Sequence, residues 1–383
     1  MATRAQHDDL PSSRRNFLKC AIGGALALAP VTRLLAEDNE TALLSRAMAL
    51  LDSTLSVDMH SHAGGIVSSR APTGDVAQWM KQGRLSAMCL AISSDRPLLK
   101  RDRTAKLYAH REPEPGELHA YVRKRMDDVD RTIKTSGMAR ILTVDDLRTA
   151  KVSGTPGAIL ALEGSDFLDG KLERLQNAYQ RGYRHWQLLH YRARNELGDI
   201  QTEDPLHGGA TSFGLDVVRE CNRLGMVVDV AHATPAMVKQ VAGVCSTPLI
   251  LSHTSYAARP KPYSRRIDGA HAKLIAETGG VVGVWANGAS FSGVQAYAQG
   301  VAQLAEIVGV SHVGIGTDLE GITTPVFPSY VHFPKFVAAL LKLFNEAEVK
   351  QIVGGNYLRV FEKATKPVRT EAGSSHPVHT SRL

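Results

Sequence analysis

Val57-Asp58-Met59-His60-Ser61-His62 closes a short apolar run, Leu55 to Met59, with two histidines one residue apart. In a β-strand, residues i and i+2 point to the same face, so His60 and His62 can aim both imidazoles at one point. That is a metal-binding geometry. A lone His-x-His in a chain with 15 histidines is weak evidence. Its weight comes from the other apolar runs, several of which also end in ligand-type side chains.

Seven further β-rich runs follow the first: Leu85 to Ser93, Gly157 to Glu163, Tyr183 to His190, Met226 to His232, Pro248 to His253, Gly280 to Trp285 and His312 to Asp318. Between them lie stretches with helical spacing, such as Gly214 to Leu224, Pro235 to Ala242, Ala270 to Thr278, Val294 to Val308 and Pro334 to Phe344. Eight strands alternating with helices predict an α/β fold, a parallel (β/α)8 barrel of the TIM type. The spacing is uneven once. Residues 94 to 155 separate the second and third strands and read as a helical insertion, with Glu117 to Lys134 its clearest helix. The insertion is placed over the barrel mouth or in the helical layer. Its basic run, Lys100 to Arg103, reads as a solvated loop.

The chain's 383 residues by themselves allow two domains or one large α/β barrel. Its formal charge of +7 is concentrated at the ends: residues 1–36 hold +3 and the tail from Ala364 holds +2, leaving +2 for the body. Nothing in that balance calls for nucleic acid. Ser13-Arg14-Arg15-Asn16-Phe17-Leu18-Lys19, followed by the apolar stretch Ala21 to Pro30 and a cleavage site after Ala36, reads as a twin-arginine signal peptide. The apolar stretch is about half of the ~20 residues a membrane span needs, so a stable anchor is not expected. The expectation is export by the twin-arginine machinery to the periplasm or beyond, with residues 37–363 as the barrel and residues 364–383 as a disordered tail. Outside the signal the chain keeps Cys89, Cys221 and Cys245, without a Cys-x-x-Cys pair, and these read as structural thiols.

In such a barrel, chemistry sits at the C-terminal strand ends. His60 and His62 end the first strand, Glu163 the third, His190 the fourth, His232 the fifth, His253 the sixth and Asp318 the eighth. Singly, each has a bland explanation; a histidine there is often just hydrogen-bonded, and a carboxylate caps the next helix. As a set they suit zinc. Four histidines exceed the usual ligand set of one catalytic zinc, so two Zn2+ per chain are expected, with Glu163 bridging. Such a pair polarises a carbonyl and generates hydroxide at neutral pH, and Asp318 can serve as acid and base.

These stretches resemble the membrane (renal) dipeptidase family, zinc peptidases among the amidohydrolase-like metal barrels. The resemblance rests on Val57 to His62, Ala161-Leu162-Glu163-Gly164, Leu188-Leu189-His190, Asn222 to His232, Leu251-Ser252-His253-Thr254-Ser255 and Gly314-Ile315-Gly316-Thr317-Asp318, in family order over roughly residues 50 to 362. Glu346 to Val349 and Asn356 to Phe361 resemble its closing helices. The resemblance implies a dipeptide substrate, a first metal on His60 and the residue at 62, a second on His232 and His253, Glu163 between them, His190 on the oxyanion and Asp318 as acid/base. It also implies an arginine for the substrate's terminal carboxylate, assigned to Arg266 of Ser264-Arg265-Arg266, and raises a homodimer as the oligomeric state.

The chain departs from the family in three places. His62 stands where the family has aspartate, which removes one negative charge from the centre. The segment from His253 to Arg266 is longer than usual, and Leu319-Glu320-Gly321 follows Asp318 where an aromatic residue and an aspartate are usual. Two competing readings stay open: a related hydrolase of N-acyl amino acids, lactones or β-lactams, and a catalytically silent metal-binding protein.

Overall fold

The computed structural model describes residues 39–64, 75–103 and 106–366. The signal peptide and nearly all of the tail lie outside the described residues. Eight parallel strands form the barrel wall: β1 Val57–Ser61, β2 Ala87–Ser93, β3 Gly157–Glu163, β4 Tyr183–Gln187, β5 Val227–Asp229, β6 Ile250–Tyr256, β7 Val281–Trp285 and β8 Val313–Gly316. Each pairs with the next in sequence order. The wall closes at the top, where the Asp318 N–H donates to His60 O and the His62 N–H to Leu319 O, both at 2.9 Å.

Period-two burial is visible on β2. Ala87, Cys89 and Ala91 join Val57, Met59, Ile159, Ala161, Val227, Ile250 and Val281 in an inner cluster. Met88, Leu90 and Ile92 belong to the larger cluster between strands and helices. Tyr357 and Phe361, from the closing helix Asn356–Thr365, complete the inner cluster. The Tyr357 hydroxyl sits 3.1 Å from both Cys89 Sγ and His185 Nδ1. Cys89, Cys221 and Cys245 are all free thiols. One inward position tolerates no side chain: a Cβ on Gly283 would collide with the Ser252 carbonyl.

The helices Val294–Val308, Pro235–Ala242 and Gly269–Glu277 match the spacing within a residue or two, whereas Phe333–Leu340 stops four residues short of the expected Phe344. The insertion divides into two parts. Its helix, Glu117–Ser136, buries Leu118, Val122, Met126, Val129 and Ile133 in the outer layer. Before it, Leu99–Arg101 pairs antiparallel with Leu107–Ala109 as a two-stranded ribbon. The basic run is therefore not simply a solvated loop, because Arg101 lines the cavity at the barrel mouth.

A buried carboxylate below the mouth ties the first and last strands together. Asp58 Oδ1 accepts from the Thr317 N–H at 2.9 Å and the His60 N–H at 3.2 Å, and Oδ2 accepts from the Tyr330 hydroxyl at 2.7 Å. The backbone of His60 and that of the residue before Asp318 thus share one anchor.

Candidate active site

Glu163 is the hub of the mouth. Its Oε1 lies 3.3 Å from His60 Nε2 and 3.6 Å from both His232 Nε2 and His253 Nε2. Its Oε2 lies 3.3 Å from His62 Nε2 and 3.2 Å from His190 Nε2, and accepts from the Ser93 hydroxyl at 2.6 Å. Asp318 Oδ1 is 3.2 Å from His62 Nε2 and 4.0 Å from His60 Nε2. All five histidines and both carboxylates are buried.

Backbone and neighbouring groups fix these orientations. The Ala91 carbonyl can only accept, so His62 carries its proton on Nδ1, 2.9 Å away, when neutral, and turns a bare Nε2 inward. Asp95 accepts from His190 Nδ1 at 2.6 Å and from the Tyr191 N–H at 3.0 Å. Ser252 Oγ meets His253 Nδ1 at 2.9 Å, and the Trp285 indole N–H donates to Asp318 Oδ2 at 3.1 Å. His232 and Asp318 hold positive φ angles, 72° and 54°, a conformation that costs a non-glycine residue about 1–2 kcal/mol. Gly321 leaves the room that Asp318 needs, since a Cβ there would collide with Asp318 Oδ1.

The donor set fits divalent cations. Two pairs of imidazole nitrogens, His60 with His62 and His232 with His253, approach to 3.2 Å. That is about the edge of a tetrahedron whose bonds are ~2.0 Å, as in zinc–imidazole sites. Three overlapping ligand groups lie here: His60, His62 and Asp318; His60, Glu163 and His253; Glu163, His190 and His232. His232 Nδ1 is also buried with no partner.

Charge follows the same layout. Burial opposes ionisation of Glu163, but the imidazoles of His190 and His60 outweigh it and hold the carboxyl well below its usual range. Burial also opposes protonation of His62, yet its contacts with Asp318 and Glu163 push it up to about 10. Asp95 and Glu163 raise His190 against the same burial cost. His232 and His253 are driven well below the usual histidine value, mainly by burial.

Metal-free protein is therefore protonated at His62 at neutral pH, and a cation must displace that proton. Calorimetric titration of the metal-free protein with Zn2+ at pH 7 is expected to release protons, with apparent affinity rising toward pH 10. A binding enthalpy independent of buffer would contradict this. Because the folded value is raised, the stability gained from protonated His62 is fully present below about pH 6.5 and is lost as pH rises through about 10.

The residues expected from the strand ends converge, but the expected arginine does not. Arg266 is exposed, with its guanidinium 3.3 Å from Ala289 O and Ser290 Oγ. Arg265 is buried and lines the cavity of about 410 Å³ above Glu163. It donates to Gln201 Oε1 at 2.9 Å and to His253 O at 3.1 Å, over the Trp285 ring. Short pairing of Arg266 and Ile267 with Ser255 and Tyr256 decides which arginine turns inward. The sequence reading also missed Asp95, Ser93, Gln201 and Trp285. Asp95 could have been found from Ser93-Ser94-Asp95, polar residues closing an apolar strand.

An eight-stranded parallel barrel with imidazoles and carboxylates gathered at its C-terminal mouth is the architecture of metal-dependent hydrolases. Residues 40–375 match the family described as Membrane dipeptidase (Peptidase family M19), and the chain belongs to that family. The dipeptidase verJ of Clonostachys rogersoniana is 27% identical over 241 residues, 61% of each chain. The chain thus spans less than two thirds of that relative. Two solved structures share the fold at 18% identity. The probable dipeptidase PvdM from Pseudomonas aeruginosa has a TM-score of 0.70, covering 85% of this chain and 99% of that one. A metallo peptidase from Rhodobacter sphaeroides, liganded with a phosphinate mimic of the dipeptide L-Ala-D-Ala, has a TM-score of 0.68, covering 81% and 99%.

Proposed function

We propose that the chain is an exported zinc dipeptidase that hydrolyses short peptides ending in a free carboxylate, with an L- or a D-residue at that end. The observation that carries this is the convergence of five buried imidazoles on Glu163, with Asp318 and Arg265 facing the same cavity. Two Zn2+ would be held by His60, His62, Glu163, His232 and His253, with Asp318 Oδ1 near enough to His62 to share the first site. When bound, they supply Lewis-acid polarisation of the scissile carbonyl and a water acidic enough to attack at neutral pH.

The chain's own groups do the rest. His190, held by Asp95 and biased toward its protonated form, turns Nε2 toward the centre, where it can donate to the developing oxyanion. Asp318, held by Trp285, takes the proton from the attacking water and returns it to the leaving amine. Arg265 has five N–H donors and spends two on Gln201 and His253. The remainder suit a carboxylate. Export rests on Arg14-Arg15 and the apolar stretch after them. Among the described residues no helix is long and apolar enough to cross a membrane.

The test is a panel of L,L and L,D dipeptides with wild type, Arg265→Met and Arg266→Ala. Arg265→Met is expected to raise KM by about tenfold to a hundredfold, the loss of a charge-assisted contact. Arg266→Ala should stay within about twofold, as surface changes do. An inert wild type would refute the peptide assignment, and a larger effect at Arg266 would refute the role of Arg265. A neutral lactone hydrolysed equally well by wild type and Arg265→Met would favour the lactonase alternative.

A further inference from the structure

The mouth is cationic on two opposite sides. Arg265 follows β6, whereas Arg96 and Arg101 follow β2, four strands away around the wall, and all three line the cavity. Arg96 opens the turn Arg96–Leu98 directly after Asp95, whose carboxylate is fixed 2.6 Å from His190 Nδ1. The turn is therefore held at the rim of the centre.

The ribbon carrying Arg101 is held as well. Lys106 Nζ reaches Thr202 O at 3.1 Å and Glu203 Oε1 at 3.0 Å. Thr202 follows Gln201, which accepts from Arg265. The ribbon on the β2 side and the segment that touches Arg265 are thus in contact with each other. Among the cavity's acidic side chains, Glu163 and Asp318 belong to the centre, and Glu320 lies on the β8 loop just after Asp318.

A dipeptide with its terminal carboxylate on Arg265 and its scissile bond over Glu163 would leave its first residue on the β2 side of the mouth, where Arg96 lines the cavity. We infer that the site selects dipeptides whose first residue carries an acidic side chain, received by Arg96, which lines the cavity on that side. This rests on the dipeptidase reading.

The experiment compares kcat/KM of the metal-loaded enzyme for L-Glu-L-Ala and L-Gln-L-Ala, near-isosteric substrates differing in one charge. Wild type should favour the glutamyl substrate by about tenfold or more, the scale of one charge-assisted contact. The preference should shrink as salt is added. Arg96→Gln should bring the ratio toward one through KM, and Arg96→Glu should invert it. Arg96 is exposed, so neither change removes core packing. Turnover of both substrates at equal kcat/KM would overturn this inference and leave the dipeptidase reading standing. A preference unmoved in Arg96→Glu and Arg101→Gln would overturn it too. No turnover of any dipeptide would overturn both.

Discussion

Glu163→Gln is expected to abolish turnover and to strip the protein of its cations. The carboxylate of Glu163 is the group within 3.2–3.6 Å of all five imidazoles, and it is held ionised by His190 and His60 despite full burial. Glutamine keeps the volume and the contact with Ser93 but removes the charge that the two proposed metal positions would share. Several kcal/mol of charge stabilisation disappear with the cations, so kcat/KM should fall on the order of 10^3–10^5. Elemental analysis and single-substrate kinetics on one preparation check both halves. Two metals per chain with kcat/KM within tenfold of wild type would show that Glu163 is not the hub.

Asp318→Asn should lower kcat by about 10^2–10^4, the usual range for loss of a positioned acid/base group, with little change in KM. The substitution is a clean one. Asparagine tolerates the left-handed backbone at φ 54°, and its amide oxygen can keep the bond from the Trp285 indole. What is lost is the ability to take and return a proton 3.2 Å from His62. A kcat within tenfold of wild type would remove Asp318 from the chemistry. Metal content of the variant then separates its two roles: near-normal loading marks a proton carrier, and loss of about one metal marks a ligand as well.

The sequence carried the barrel because its signals are local. Val57 to His62, Gly157 to Glu163 and Gly314 to Asp318 each pair an apolar strand pattern with a ligand-type residue at the C-terminal end, and the structure gathers those ends in one mouth. The membership in the membrane dipeptidase family was legible on the same residues. What the sequence did not carry depends on pairing across loops. Arg265 and Arg266 are neighbours of the same type, and only the alignment of Arg266 with Ser255 decides which one faces the cavity. Likewise Lys100 to Arg103 has the composition of a solvated turn. Its pairing with Leu107–Ala109 turns it into a wall of the mouth. Asp95 and Trp285 gain meaning only through His190 and Asp318, which lie 95 and 33 positions away.

His62 stands where the resemblance implies an aspartate, and the structure gives that difference a physical reading. The imidazole lies 3.3 Å from Glu163 and 3.2 Å from Asp318, so it still faces both carboxylates, while the centre carries one negative charge fewer than it would with aspartate at that position. Whether the first metal position works on that basis is a question of stoichiometry. Metal content per chain of the purified protein, by elemental analysis with dipeptide turnover followed on the same sample, decides between a working binuclear centre and an impaired one. A binuclear dipeptidase gives close to two zinc per chain and turnover of L,L or L,D dipeptides; a chain that holds one metal or none and hydrolyses no dipeptide would contradict that reading.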